Sequence, residues 1–354
     1  MRPFARTLAV IGLAALAIAG GFAAGWWIRG GSPAASSGPL AFAAAGTLAP
    51  FLPSLAAQFA NETPGVAAPL AAQLYEGSVD GAIAVRTPGS PYDAFLAADF
   101  RVIPQWLESN GAAGFELVFA SDPLVLAYNN QSGSPLQGLN STNWPTRLEQ
   151  PGVTLGAPNA SSDPLGANAI FVLELEDDAL HANGQFFRHF YSGGIGGFAV
   201  PTSSTKIVPE TQAAVVLRTD EVQAYFVYRS YAFLEHLANV SLPVAVNLGG
   251  VTSADVQAYG AVSTEVLNGS AAVIERGAPV LFAVTVPANA PDFPLGVAFV
   301  GFLLANSSAS AWERAGFLLL NPIWADHPSD LPGALSGIAP NGVPSLPSYL
   351  AALI

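Results

Sequence analysis

The sequence contains no cysteine and very little positive charge. Its 354 residues include 25 acidic but only 12 basic side chains, with one lysine, Lys206, and a formal net charge of −13. The absence of cysteine excludes disulfides, thiolate metal sites and a lipid anchor on cysteine. The scarcity of basic residues argues against a nucleic-acid partner, which needs a basic face. Because the net negative field repels anions, any anion site in this chain has to use local donors or direct coordination.

Motifs of the common catalytic and cofactor classes are also missing. There is no Gly-X-Ser-X-Gly nucleophile elbow. Residues 194–199, Gly-Ile-Gly-Gly-Phe-Ala, match a dinucleotide fingerprint loosely, but the strand before it and the helix after it are both lacking. The four histidines show no metal-ligand spacing: His181, His189, His236 and His327. The sequence therefore predicts that the protein is not an enzyme.

A long apolar run lies near the N-terminus. Arg2 and Arg6 precede an uninterrupted apolar segment over residues 8–28 that ends in two tryptophans and an isoleucine. At 1.5 Å per residue this segment spans about 31 Å, enough to cross a bilayer core of about 30 Å. We predict a signal anchor or signal peptide over residues 1–29, with the uncleaved anchor favoured, and a flexible linker over 30–39. The body is then tethered at the extracellular face of the membrane, or secreted or periplasmic if the segment is cleaved.

Glycosylation sequons recur along the body of the chain. Seven Asn-X-Ser/Thr triplets without proline at X begin at Asn61, Asn130, Asn140, Asn159, Asn239, Asn268 and Asn306. One sequon is a weak signal, whereas seven in an exported body predict a glycoprotein surface.

Short apolar runs alternate with helical patterns from residue 40 onward. This alternation predicts an α/β protein, with loops at the carboxyl ends of its strands where open α/β sheets bind ligands. Two successive strands, over 115–120 and 123–128, indicate a crossover into a second lobe, and a strand over 279–287 is predicted to end that lobe. The predicted organisation is lobe I over 40–119 plus 291–345 and lobe II over 120–290.

Two carboxylates stand beside prolines at predicted helix starts. Asp163 precedes Pro164, and Glu210 follows Pro209. The first turn of a helix presents unpaired N–H groups and the positive end of the dipole, which suit an anion. A ligand that needs both N–H donors and acidic oxygens fits a tetrahedral oxoanion with an electrophilic metal, such as molybdate or tungstate. The simpler interpretations are a helix N-cap for Asp163 and a first-turn glutamate for Glu210.

Several segments, in their order and spacing, carry a resemblance to a known family. They are residues 119–128 (Phe-Ala-Ser-Asp-Pro-Leu-Val-Leu-Ala-Tyr), 140–144 (Asn-Ser-Thr-Asn-Trp), 156–159 (Gly-Ala-Pro-Asn), 163–166 (Asp-Pro-Leu-Gly), 225–230 (Tyr-Phe-Val-Tyr-Arg-Ser), 277–281 and 284–287. With them the chain resembles the archaeal-type molybdate/tungstate substrate-binding proteins of ABC importers, from residue 46 to about residue 326. The resemblance implies the two-lobed periplasmic-binding-protein (type II) fold with a ligand cleft between the lobes.

The resemblance also implies roles for particular residues. In that family an Asp and a Glu complete an octahedral shell around the metal of the oxoanion, and these positions correspond to Asp163 and Glu210. Hydroxyl donors to the oxoanion oxygens are implied at Thr47 and Ser78, in the loops after the first two strands, and at Tyr228 as a lesser candidate. Thr47 departs from the serine usual in the family, but it keeps the hydroxyl.

The implied function is extracytoplasmic capture of tungstate or molybdate for uptake by an ABC permease. No cofactor is expected beside the ligand, and the protein is expected to be a monomer. Two alternatives stay open: the same fold holding another oxoanion such as sulfate, and an exported hydrolase that uses Asp163 and Glu210 as an acid/base pair. Sulfate cannot expand its coordination shell and is repelled by carboxylates, so the pair favours the heavy oxoanions.

Overall fold

The computed structural model describes residues 39–63, 72–193, 196–268 and 270–354. The predicted anchor over 1–29 and nearly all of the predicted linker over 30–39 lie outside these residues. Within them, no single helix has the length and apolar character of a membrane span, and only the pair Phe293–Leu304 and Asn306–Arg314, bent by 65°, meets those two criteria jointly.

Strands and helices alternate through the described chain. The strands are β1 (Phe42–Ala45), β2 (Gln73–Glu76), β3 (Ala94–Ala97), β4 (Leu117–Ser121), β5 (Leu124–Tyr128), β6 (Leu155–Ala157), β7 (Tyr191–Ser192), β8 (Val200–Pro201), β9 (Thr205–Ile207), β10 (Ala224–Tyr228), β11 (Asn239–Ser241), β12 (Ser263–Asn268), β13 (Ala271–Arg276), β14 (Leu281–Thr285) and β15 (Leu318–Ala325). The α-helices are α1 (Leu52–Glu62), α2 (Ser78–Arg86), α3 (Trp144–Leu148), α4 (Pro164–Ala179), α5 (Gln185–Phe190), α6 (Ala213–Arg218), α7 (Arg229–Leu234), α8 (Ser253–Tyr259), α9 (Phe293–Leu304), α10 (Asn306–Arg314), α11 (Gly333–Ser336) and α12 (Ser348–Ala351). The predicted α/β class is confirmed.

A six-stranded mixed sheet has the order β15-β4-β14-β3-β1-β2. Strand β1 pairs in parallel with β2 and β3, whereas β14 runs antiparallel to β3 and β4, and β15 antiparallel to β4. The carboxyl ends of β1 and β2 therefore meet at one edge of this sheet. Thr47 and Ser78 lie directly after these two strand ends.

A five-stranded sheet has the order β11-β5-β10-β6-β9. Strand β6 pairs in parallel with both β9 and β10, while β5 runs antiparallel to β10 and β11. The carboxyl ends of β6, β9 and β10 consequently share one edge. The loop after β6 leads to Asp163, the loop after β9 leads to Glu210, and β10 ends at Tyr228.

One strand near the end of the chain differs from the sequence prediction. The strand predicted over 279–287 is present as β14, but it pairs with β3 and β4 in the six-stranded sheet and does not close the second lobe. All its residues are buried, and a fully buried strand has the same apolar pattern in either sheet. The exact lobe boundaries stay a prediction.

Aromatic side chains pack the helices against the six-stranded sheet. The ring of Phe299 on α9 contacts Phe42 of β1 and Phe59 of α1, with centroids 5.4 and 5.2 Å apart. Trp312 of α10 packs against Phe119 of β4 and donates its indole N–H to the Leu303 carbonyl at 2.8 Å. These contacts fix the sheet whose loops carry Thr47 and Ser78.

Candidate functional site

Two hydroxyl side chains occupy the loops at the carboxyl ends of β1 and β2. Thr47 lies in a 3-10 turn over Gly46–Leu48, and Ser78 is the first residue of α2; each is 2% exposed. Ser78 Oγ accepts a hydrogen bond from the Ala98 backbone N–H at 3.0 Å. A hydroxyl has one hydrogen to donate, and since Ser78 only accepts here, its own hydrogen remains available to an anion.

Asp163 is the N-cap residue of α4. Its Oδ1 accepts a hydrogen bond from the Leu165 backbone N–H at 2.9 Å, so the simpler interpretation as a cap is correct. The second carboxylate oxygen makes no hydrogen bond to any described residue and stays available to a ligand. Gly166 permits this geometry, because a Cβ there would lie 2.6 Å from the Pro158 carbonyl oxygen and from the Ala160 nitrogen.

Glu210 starts a 3-10 turn, Glu210–Gln212, after β9. The Thr47 hydroxyl donates to Glu210 Oε1 at 3.2 Å, although 163 residues separate the two in sequence. A second close approach lies beside it, where a Cβ on Gly77 would come within 3.3 Å of the Ser162 carbonyl oxygen. The loops of the two sheets therefore face each other, with hydroxyls on one side and carboxylates on the other.

The two carboxylates are electrostatically unfavourable to each other. Burial raises the pKa of Asp163 to about 6, and the Leu165 N–H offsets this only partly. Burial, followed by the charge of Asp163, raises the pKa of Glu210 well above its usual range, while the bond from Thr47 lowers it. The charges that raise it are those of Asp163 and Asp122, both negative. Two half-buried acids in this position favour an electron-poor partner.

Tyr228, at the end of β10, lies next to the same carboxylates. Its side chain is 2% exposed, and its pKa is raised well above the usual range by burial and then by the charges of Glu210 and Asp163. The phenol therefore keeps its proton and remains a donor. Its oxygen accepts a weak hydrogen bond from Asn168 Nδ2 at 3.4 Å.

Asn168 is a neighbour of the site that the sequence reasoning missed. It lies on α4 after Asp163 and is 8% exposed within a helix whose other residues from Leu165 to Leu173 are apolar and buried. A lone amide inside an apolar run is the signal that would have identified it, because buried polar groups need partners. The structure thus brings Thr47, Asp163, Glu210 and Tyr228 together, with Ser78 beside the contact at Gly77.

The chain matches the sequence profile of the bacterial extracellular solute-binding protein family over residues 40–318. A solute-binding protein of Methanoculleus marisnigri is 28% identical over 255 residues, which cover 68% of this chain and 71% of that protein. The molybdate/tungstate-binding protein WtpA of Thermococcus kodakarensis is 26% identical over 244 residues, 65% of this chain and 67% of that protein.

Solved structures share the fold. The Azotobacter vinelandii periplasmic molybdate-binding protein superposes with a TM-score of 0.54 at 16% identity, covering 79% of this chain and 99% of that one. The sulfate-binding protein SubI of Mycobacterium tuberculosis gives a TM-score of 0.52 at 16% identity, covering 81% of this chain and 88% of that one. The expected periplasmic-binding-protein fold is confirmed. Together with the profile match over residues 40–318, this fold shows that the chain belongs to the bacterial extracellular solute-binding protein family.

Proposed function

We propose that this protein captures molybdate or tungstate outside the cytoplasm and delivers it to an ABC permease without altering it chemically. The observation that supports the proposal best is the Thr47 to Glu210 hydrogen bond at 3.2 Å, since it joins a hydroxyl loop of one sheet to a carboxylate loop of the other. An oxoanion between the loops replaces this bond with its own contacts to both sides.

The chemistry of the donor set favours a heavy oxoanion. The metal in MoO4 or WO4 is electron-poor and accepts two further oxygen ligands, which Asp163 and Glu210 supply to reach six-coordination. Thr47, Ser78 and Tyr228 then donate to the oxoanion oxygens. Sulfur in sulfate cannot expand its shell in this way, and two unneutralised carboxylates repel the dianion, so the same pair rejects sulfate.

Delivery requires the protein to open and close. The five proposed ligands lie at or just after strand ends of two different sheets, so a hinge motion that separates the sheets releases the oxoanion. Homologues of this family are extracytoplasmic, and one relative is a molybdate/tungstate-binding protein. Tethering by the segment over 1–29, a glycosylated surface and a monomeric state belong to the same proposal. The hydrolase alternative finds no support in a nucleophile motif of the sequence.

Isothermal titration of the purified protein with tungstate, molybdate and sulfate tests the proposal. We expect tight binding of the two heavy oxoanions and at least a hundredfold weaker binding of sulfate, which corresponds to about 3 kcal/mol. The isosteric variants D163N and E210Q should each remove this preference. The control variant E149Q alters an exposed carboxylate on a different loop and should bind as the parent does. Sulfate binding as tight as tungstate binding would contradict the proposal.

A further inference from the structure

A second group of acidic and imidazole side chains lies at the opposite edge of the six-stranded sheet. Glu116 immediately precedes β4, and Asp326 and His327 immediately follow β15. Strand β4 runs in the same direction as β1, because β14 is antiparallel to both β3 and β4 and β3 is parallel to β1. The start of β4 is therefore at the edge away from Thr47, and this group is separate from the oxoanion site.

Three ligand atoms converge within this group. His327 Nε2 lies 3.6 Å from Glu108 Oε2 and 3.8 Å from Asp326 Oδ2. One ligand atom from each of the three residues lies within 4.8 Å of the others. Bonds of about 2.0–2.2 Å to a common metal place ligand atoms roughly 3–3.5 Å apart. A small contraction of the group is therefore enough to bring the three atoms to coordination distance of one metal ion.

One carboxylate oxygen of Asp326 accepts hydrogen bonds that hold the side chain in place, and the other has no hydrogen-bond donor. Its Oδ1 accepts backbone N–H bonds from Glu116 at 2.8 Å and from His327 at 2.7 Å. Its Oδ2 is fully buried and has no hydrogen-bond partner among the described residues, and the whole side chain is only 4% exposed. A buried carboxylate oxygen without a partner is costly, so this atom is aimed at a ligand.

Two further carboxylates also have buried oxygens without a hydrogen-bond partner. Glu116 is 0% exposed, and neither of its side-chain oxygens has a partner in the described part of the chain. Glu108 Oε1 likewise has no partner in that part of the chain, and the Glu108 side chain is 14% exposed. Across the described residues no lysine or arginine pairs with these acids, and His327 alone reaches Glu108 and Asp326. These two carboxylates face the imidazole, and the buried Glu116 lies near enough to feel their charges, so an additional positive charge would stabilise the group.

We propose that Glu108, Asp326 and His327 bind a divalent transition-metal cation, with Glu116 as the buried carboxylate that balances its charge. An oxygen-rich set with one imidazole and no thiolate suits Zn²⁺ or Mn²⁺, whereas Ca²⁺ and Mg²⁺ prefer oxygen ligands alone. The His327 side chain is 56% exposed, which gives the cation access. The metal joins the turn at Glu108 to the chain after β15 and so stabilises the outer edge of the sheet.

The test is titration of the purified full chain, stripped with EDTA, with Zn²⁺, Mn²⁺ and Ca²⁺ at pH 7.5. We expect Zn²⁺ or Mn²⁺ to bind with a Kd below about 100 µM and to raise the Tm. D326N and H327Q should each weaken this binding about 10- to 100-fold. Tungstate affinity should change less than about twofold in both variants, because the two sites lie at opposite edges of the sheet.

Two controls make the result decisive. H181Q replaces an exposed histidine outside the group and should bind the metal as the parent does. The double variant D163N/E210Q should also keep the metal affinity, which excludes binding at the oxoanion site. H327Q replaces an exposed side chain, so it remains informative if D326N does not fold. The absence of Zn²⁺ and Mn²⁺ binding, or unchanged affinity in H327Q, would overturn the proposal.

Discussion

Replacing Asp163 by asparagine should stabilise the ligand-free protein while it weakens oxoanion binding. The pKa of Asp163 is raised from 3.8 to about 6, mainly by burial. The asparagine of D163N keeps the size of the side chain and an oxygen that accepts the Leu165 N–H, but it carries no charge. The substitution therefore removes the electrostatic penalty and leaves the cap of α4 intact.

The sign and size of this effect follow from proton linkage. A group whose pKa is raised by folding binds its proton more tightly in the folded state. The stability that it contributes is complete below pH 3.8 and is lost as the pH rises through about 6. A shift from 3.8 to about 6 corresponds to about 3 kcal/mol. Because Asp163 is only half-buried, solvent screening reduces this, and we expect D163N to gain about 1–3 kcal/mol at pH 7.5.

Thermal and urea unfolding of both proteins without ligand, at pH 7.5 and pH 4, measure the effect. A gain of about 1–3 kcal/mol corresponds to roughly 1.5–5 °C in Tm for a chain of this size. This difference in stability between D163N and the wild type should be present at pH 7.5 and nearly absent at pH 4, where the wild-type carboxyl is already protonated in the folded state. The exposed control E149Q should differ from the wild type at neither pH. Equal stability at pH 7.5, or a gap that persists at pH 4, would refute the linkage argument.

Two further substitutions test the site and its support. T47V removes the hydroxyl that donates to Glu210 and to the ligand, and it should weaken tungstate binding about 10- to 100-fold by calorimetry. T47S keeps that hydroxyl and should bind tungstate within a few-fold of the parent. G166A should lower the free energy of unfolding by about 1–3 kcal/mol, because its Cβ meets backbone atoms at 2.6 Å; G333A, where the Cβ meets nothing within 4 Å, should not. Unchanged affinity in T47V, or equal stability of the two alanine variants, would contradict these assignments.

The sequence predicted the local positions of the two carboxylates because these positions depend on local chemistry. Proline beside a carboxylate at a helix start identified Asp163 and Glu210, and both lie after the carboxyl ends of parallel strands as the α/β pattern requires. The alternation of strands and helices also predicted the class of the fold. The site roles themselves stay predictions until a ligand is bound.

Long-range pairing was not accessible from the sequence. The apolar pattern of β14 fits either sheet, and only the pairing with β3 and β4 decides between them. The group around His327 was missed for the same reason. Spacing rules detect only ligands that are close in sequence. Glu116 and Asp326 are 210 residues apart and meet only because β4 pairs with β15.

X-ray absorption at the metal edge of the tungstate-loaded protein tests the central claim most directly, because it counts the oxygens around the metal. Direct coordination by Asp163 and Glu210 predicts six oxygens, two of them at longer distances, and a return to four in D163N/E210Q. Four equivalent oxygens in the wild-type complex would contradict the account.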